Sequence, residues 1–269
     1  MPTGSDAIEP LSRRERLRAQ TLDEIKQHAL AQVAEGGAGA LSLNAIAKAM
    51  GMSGPAIYRY FAAREELLGA LVTDGYGELA EVVRSAAAIG PRRAPARRLA
   101  QVADAYRAWA LANPYRYGLL FSVRPPGYAE PGEAISAIQP AMGTLLELLG
   151  RVAKGAADAR ARGAGGAGAG GAGGAGAGAG VPSPKLAGQL RRWAGARGED
   201  ETAAPALLLL GVLTWTRLHG IVTLELAGVV GDMGLDGRLL VQAELETVVA
   251  AAASGIIPSP ATATRRNRR

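Results

Sequence analysis

The chain contains no cysteine in its 269 residues, and that one absence excludes disulfides, thiolate metal sites and cysteine nucleophiles together. Histidine is almost as scarce, with His28 and His219 the only two, so neither a metal nor a cofactor is expected. Aromatic residues make up 4% of the chain against 48% hydrophobic residues overall. A core drawn from that supply is aliphatic and small, which favours packed helices over aromatic-rich sheets. The expected fold is all-α. No carboxylate pair, nucleophile with a base or phosphate loop stands at useful spacing, so no catalytic residues and no enzyme are expected. The opening residues, MPTGSDAIEP, lack the charged-then-apolar pattern of a secretory signal. The most apolar run, 203–216, stops at Arg217, short of the roughly 20 residues that a membrane span needs. It reads as a buried helix, with no membrane partner and a cytoplasmic location.

What is present is positive charge, +6 in formal balance, which suits an anionic partner. Residues 1–70, however, hold eight Lys/Arg and eight Asp/Glu. Any case for nucleic acid must therefore rest on placement. Residues 1–12 read as a flexible arm. Arg13, Arg14, Arg16 and Arg18 follow, opposed only by Glu15, and read either as a solvated helix start or as phosphate or minor-groove contacts. The helix they open runs over about 12–35, with Leu22, Ile25, Ala29, Leu30 and Val33 on one face. Gly36 and Gly37 stop it.

The stretch Ser42 to Phe61, SLNAIAKAMGMSGPAIYRYF, carries the strongest signal. Ser42 stands where a helix N-cap belongs, ahead of the apolar face Leu43, Ile46, Ala47 and Met50. Gly51 takes the turn, where a left-handed backbone costs a non-glycine residue most. Ser53 is placed to cap a second helix, with Pro55 in its first turn. Ile57 and Phe61 face inward and leave Gly54, Pro55, Ala56, Tyr58, Arg59 and Tyr60 around the rim. Helix, glycine turn and capped helix at this spacing make a helix-turn-helix, whose second helix enters the DNA major groove.

Together with Tyr58, Tyr60-Phe61 and Arg64-Glu65-Glu66-Leu67-Leu68, the run from Leu41 to Leu68 resembles the DNA-binding domain of TetR-family transcriptional regulators. The resemblance covers about residues 18–72. It implies phosphate contacts from Ser42 and Arg64, the family having Lys at the latter position, and backbone anchoring by the hydroxyls of Tyr58 and Tyr60. It also implies that Ser53, Gly54, Pro55, Ala56 and Arg59 lie closest to the DNA, with Asn44 reaching in from the preceding helix. Arg59 can take a guanine and Asn44 an adenine through paired hydrogen bonds. In bland alternatives, Tyr58 owes its place partly to packing on the first helix, and Arg59 pairs with Glu66 or another local acid.

A fourth helix over about 64–88 closes a three-helix head with its linking helix, residues 13–88, and the segment PRRAP at 91–95 marks a junction. The larger helical body, 96–253, begins with a stripe of Leu99, Val102, Tyr106, Trp109 and Ala110. A short helix with Tyr117, Leu120 and Phe121 follows, then a loop at 124–132. A helix over about 133–160 carries Ile135, Ile138, Met142, Leu145, Leu146, Leu149 and Val152. Residues 163–180 are almost pure Gly and Ala and read as a flexible insert. Two helices, about 203–226 and 236–253, come next, and 254–269 reads as a disordered basic tail. Trp215, His219 and Gly220 resemble the Trp-His-Gly signature of one C-terminal class in the family, the WHG domain.

The resemblance implies a homodimer through the last two helices and a DNA-binding regulator of a double-stranded pseudo-palindromic operator, more often a repressor than an activator. It also implies a small-molecule effector held in an apolar cavity. Trp109, Phe121, Met142, Trp215 and His219 are the candidates for that cavity, each with ordinary core packing as the competing role. A constitutive regulator without an effector is the second reading.

Overall fold

The computed structural model describes residues 12–121, 131–163, 181–198 and 203–254. The arm up to residue 11, the loop at 122–130, the Gly/Ala insert from 164 and the tail from 255 lie outside the described residues. Among the described residues the secondary structure is helical, with no strand. In chain order the helices are α1 (Arg13–Gly36), α2 (Leu43–Ala49), α3 (Gly54–Ile57), α4 (Arg64–Ala88), α5 (Pro95–Ala112) and α6 (Pro114–Phe121). They continue with α7 (Gly132–Gly163), α8 (Pro184–Gly195), α9 (Pro205–Leu226), α10 (Val229–Asp232) and α11 (Gly237–Ala253). A single 3₁₀ turn, Ala38–Ala40, separates α1 from α2. Two compact units result. The first holds residues up to Thr73 and takes in the stretch from Tyr115 that includes most of α6; the second holds the rest.

In the first unit, α1 begins with a reciprocal cap. Glu15 N–H donates to Ser12 Oγ at 3.2 Å, and Ser12 N–H donates to Glu15 Oε2 at 2.7 Å, which satisfies two donors that a helix start leaves open. The core gathers Ile25 and Ala29 of α1, Leu41, Leu43, Ile46 and Ala47 around α2, Ile57 and Phe61, and Leu67, Leu68 and Leu71 of α4. Leu22 and Leu30, expected on the same α1 face, are only partly buried against it. Leu119 of α6 packs here too, although the sequence grouped that helix with the body.

In the second unit, α9 packs against α5, α7, α8, α10 and α11. By length and composition alone α9 passes for a membrane span, a wider apolar reach than the run that ends at Arg217. Burial of Leu208, Leu210, Leu218 and Val222 among helices of the same unit is what a core helix shows. The approach to α7 is close: a Cβ on Gly211 would run into Leu146. The α5 stripe of Leu99, Val102, Tyr106, Trp109 and Ala110 is buried as expected. On α7 the buried side chains are Ala134, Ala141, Leu145, Leu146, Leu148, Leu149 and Ala153; Ile135, Ile138 and Val152 are only half-buried.

Two helices were not expected. The segment before α8 offers Ser183, whose hydroxyl accepts from Leu186 N–H at 3.4 Å, with Pro184 in the first turn. That cap was legible, but the Gly/Ala tract beside it masked it. The four-residue α10 is too short to leave a periodic pattern.

Candidate nucleic-acid interface

The helix-turn-helix is built by backbone chemistry that its residues dictate. Ser42 has an extended backbone and its hydroxyl accepts from Ala45 N–H at 3.3 Å, so it caps α2 as expected. One acceptor lone pair is used and the O–H remains free to donate outward. Its own N–H donates to Gln32 Oε1 at 2.8 Å, a pin from α1 that nothing ten residues upstream announces. At the far end, Gly51 takes φ +66°. Met52 N–H bonds to Ala47 C=O at 2.8 Å and Gly51 N–H to Lys48 C=O at 3.2 Å, the paired pattern that ends a helix in a left-handed residue.

The second helix departs from expectation in two ways. Ser53 occupies the N-cap position, but its side chain makes no capping hydrogen bond; Pro55 in the first turn has no N–H to satisfy, which lowers the need for one. The α-helical part is also short, Gly54–Ile57, and continues as tighter turns: Arg59 N–H bonds to Ala56 C=O at 3.3 Å and Tyr60 N–H to Ile57 C=O at 2.9 Å. These three-residue steps rotate successive side chains closer to 120° apart. Ile57 and Phe61 still reach the core.

The polar and small residues thus left outside match the expected face. Asn44, Ser53, Gly54, Pro55, Tyr58 and Arg59 are exposed, and Ser42, Ala56, Tyr60 and Arg64 are half-buried. Tyr58 keeps nearly half its surface open, and its hydroxyl lies 3.5 Å from Asn44 Oδ1, at the limit of a hydrogen bond. That contact leaves the Asn44 amide N–H₂ for another acceptor. Glu66 accepts from Ala62 N–H at 2.6 Å across the start of α4, and among the described residues no ion pair joins it to Arg59. Tyr60 is covered on one ring face by Arg18, 5.1 Å from the centroid, a cation–π contact.

Arg64 does something that its resemblance did not imply. Its Nε donates to Leu41 C=O at 3.0 Å and one Nη to Ala38 C=O at 2.5 Å, so it clasps the 3₁₀ turn that leads into the Ser42 cap. Two carbonyls at a turn are satisfied by a charged donor, a contact stronger than a neutral hydrogen bond. Three of its five N–H donors, two of them on the Nη that lies 3.8 Å from Glu65, are left to reach a phosphate.

Of the five effector candidates, Trp215 and His219 stand in ring contact with one another. Phe121 belongs to the first unit, its ring 4.9 Å from Tyr117. Trp109 is buried in α5, and Met142 packs with the Leu146, Leu190 and Leu208 cluster. The Trp215 and His219 rings are near parallel at 6.2 Å. Tyr106 joins them: its ring lies 5.3 Å from Trp215 and its hydroxyl 3.2 Å from His219 Nδ1. Burial holds the His219 imidazole below its ordinary pKa. Six residues further along α9, Glu225 receives Arg107 through two N–H donors, and a Cβ on Gly237 would collide with that carboxylate. A groove of about 760 Å³ between α5 and α11 is lined by Arg97, Asp104, Arg238, Leu245, Glu246 and neighbouring small residues, and by none of the five.

Comparison with known proteins agrees with this geometry. Residues 25–71 match the family described as "Bacterial regulatory proteins, tetR family", and 99–248 match "Tetracyclin repressor-like, C-terminal domain". The HTH-type transcriptional regulator Rv1816 of Mycobacterium tuberculosis is 30% identical over 243 residues, covering 89% of this chain and 95% of its own length. Among solved structures, SCO4313, described as a regulatory protein, superposes with a TM-score of 0.68 at 37% identity over 88% of this chain and 98% of that one. A Rhodococcus sp. RHA1 protein of unknown function shares the fold, with a TM-score of 0.57 at 20% identity over 92% and 99% of the two chains.

Proposed function

The chain belongs to the TetR family and is a DNA-binding transcriptional regulator, and from that premise we propose that it acts as a homodimeric repressor released by a small-molecule effector. The observation that carries this reading is the outward row of Asn44, Tyr58 and Arg59 beside the exposed Ser53-Gly54-Pro55 start of α3. Arg59 and Asn44 are its base-discriminating groups. Ser42, Tyr58, Tyr60 and Arg64 hold phosphates, and Gly54, Pro55 and Ala56 supply van der Waals contact. With so few polar readers, part of the specificity comes from groove shape. Residues 13–88 form the DNA-binding part and 96–253 the regulatory and dimerisation part. DNA as partner puts the protein in the cytoplasm.

Dimerisation is supported by apolar exposure. Leu224, Val229, Met233, Leu235 and Leu239 all keep at least two-fifths of their surface open, and they fall together at the end of α9, on α10 and at the start of α11. Exposed apolar residues clustered along the chain in this way fit an association site. Effector control is supported by the Tyr106–His219–Trp215 cluster and by Gln101 Oε1, buried without a hydrogen-bond partner. An effector acts only by preferring one of two head spacings.

Duplexes selected by the purified protein from a random library should converge on a pseudo-palindrome, and an effector should reduce that selection. Recovery of no preferred sequence would overturn the reading. A palindrome bound equally with every metabolite tested would favour the constitutive regulator, and increased transcription from a promoter carrying it would favour an activator.

A further inference from the structure

The first unit carries equal numbers of basic and acidic residues through position 70, yet its arginines are not spread evenly. Arg13, Arg14, Leu17, Arg18 and Thr21 recur on one face of α1. They face Met52, Ala56, Arg59 and Tyr60 of the reading segment across an open groove of about 610 Å³. Four guanidinium groups therefore line a single channel. Glu15, the one acid among the first turns of α1, is turned back into the cap with Ser12, and among the described residues no acid is paired with Arg13, Arg14 or Arg59. Like charges held this close repel unless an anion lies between them. Arg18 lies over the Tyr60 ring; a cation–π contact uses the charge and not the N–H donors, which suit phosphate oxygens. Thr21 spends its hydroxyl on Leu17 C=O at 2.9 Å, and Leu17 itself is 54% exposed, which leaves an apolar step between the charges.

We propose that this groove holds a sugar–phosphate strand bordering the major groove that α3 enters, with Arg13, Arg14 and Arg18 as its phosphate grips and Leu17 against deoxyribose. The proposal rests on the DNA-binding reading. The occupant is a DNA strand because Ala56, Arg59 and Tyr60 line both the groove and the reading surface, so duplex bound by α3 brings its own backbone to the arginines. Three further grips per protomer offset the sparse base-reading face by adding affinity without sequence preference.

The test is the salt dependence of binding to the selected operator for wild type, R13A/R14A and R13K/R14K, with melting temperature as a fold control. Each lost phosphate contact lowers the slope of log K against log salt by about 0.9. R13A/R14A should therefore lose about 1.8 per protomer, weaken cognate and random duplex alike, and melt as wild type does. The lysine pair should restore the slope. Methylphosphonate at individual phosphates of the operator should weaken wild type at one or two positions where it no longer affects R13A/R14A. An unchanged slope in R13A/R14A overturns the groove assignment while leaving the DNA reading intact. A loss that depends on flanking base pairs also overturns it, in favour of minor-groove insertion. Wild type that binds no duplex overturns the DNA reading, and this proposal with it.

Discussion

The two units assemble their polar groups over very different distances along the chain. In the first unit the expected DNA contacts all lie between Ser42 and Arg64, and among the described residues their longest hydrogen bond, Arg64 to Ala38, spans 26 residues. In the second, Tyr106 meets His219 across 113 residues and Arg107 meets Glu225 across 118. The first unit is a device made of caps and a turn, each set by a few neighbouring residues. The second is a bundle whose polar contacts exist only after its helices have packed. Local chemistry therefore governs whether the interface is shaped correctly, and tertiary packing governs whether the body is stable.

The largest expected effect tests the second half of that contrast. Glu225→Ala leaves Arg107, only one-fifth exposed, without its partner at the meeting of α5, α9 and α11. Breaking a buried pair costs about 3–5 kcal/mol, and partial exposure reduces that to about 2–3 kcal/mol here. Chemical denaturation should register it, and Arg107→Met with Glu225→Leu should recover most of it. Full stability in Glu225→Ala would mean that the body does not depend on its long-range pair. Next comes Arg59→Ala, which should cost about 1–3 kcal/mol on cognate DNA and relax preference at one base pair. Equal loss on every sequence would make Arg59 a phosphate contact instead. Melting should not change, since the side chain is exposed.

Gly51→Ala should cost about 1–2 kcal/mol of stability, because an L-residue at φ +66° carries that backbone penalty while the added methyl meets no atom within 4 Å. DNA binding should fall only as far as the turn relaxes. A loss of binding with no change in melting would show that the turn is read by DNA and not merely folded. The smallest effect is that of His219. Its folded pKa lies below the ordinary 6.5 because burial disfavours the imidazolium, so the unfolded chain takes up a proton first as pH falls. Stability should be unaffected above about pH 6.5 and decline below it, towards the lower folded value. His219→Gln should flatten that decline in melting temperature, and an identical acid limb would remove His219 from the account.

The contrast also explains what could be read in advance. The spacing of Ser42, Gly51, Ile57 and Phe61 was legible because each acts on its own stretch of backbone. Ser53 shows the limit of such reading: the residue type suits a cap, but the hydroxyl makes no capping bond, because Pro55 removes one of the donors it would serve. Arg64 shows another limit. A guanidinium at a helix start can grip a phosphate, a carbonyl or both, and only the position of the backbone 23 to 26 residues upstream brings two carbonyls to its donors. Of the effector candidates, Trp215 and His219 came together on one helix, as their spacing allowed. Trp109 is buried and Met142 packs into the Leu146 cluster, the core role that periodicity alone does not distinguish from a cavity lining.

By itself the sequence determined the helical class, the position of the interface and most of its outward residues, because helix periodicity, caps and a left-handed glycine are short-range effects. It also determined that charge balance could not carry the DNA assignment. Only the tertiary structure decided where the charges converge. Helix α1 runs alongside the reading segment, so arginines more than forty residues apart in sequence line one groove. The same packing turned Arg64 inward and joined Tyr106 to His219. Those outcomes depend on how helices lie against one another, and that is set by the fit of whole apolar faces, which no single stretch of the chain contains.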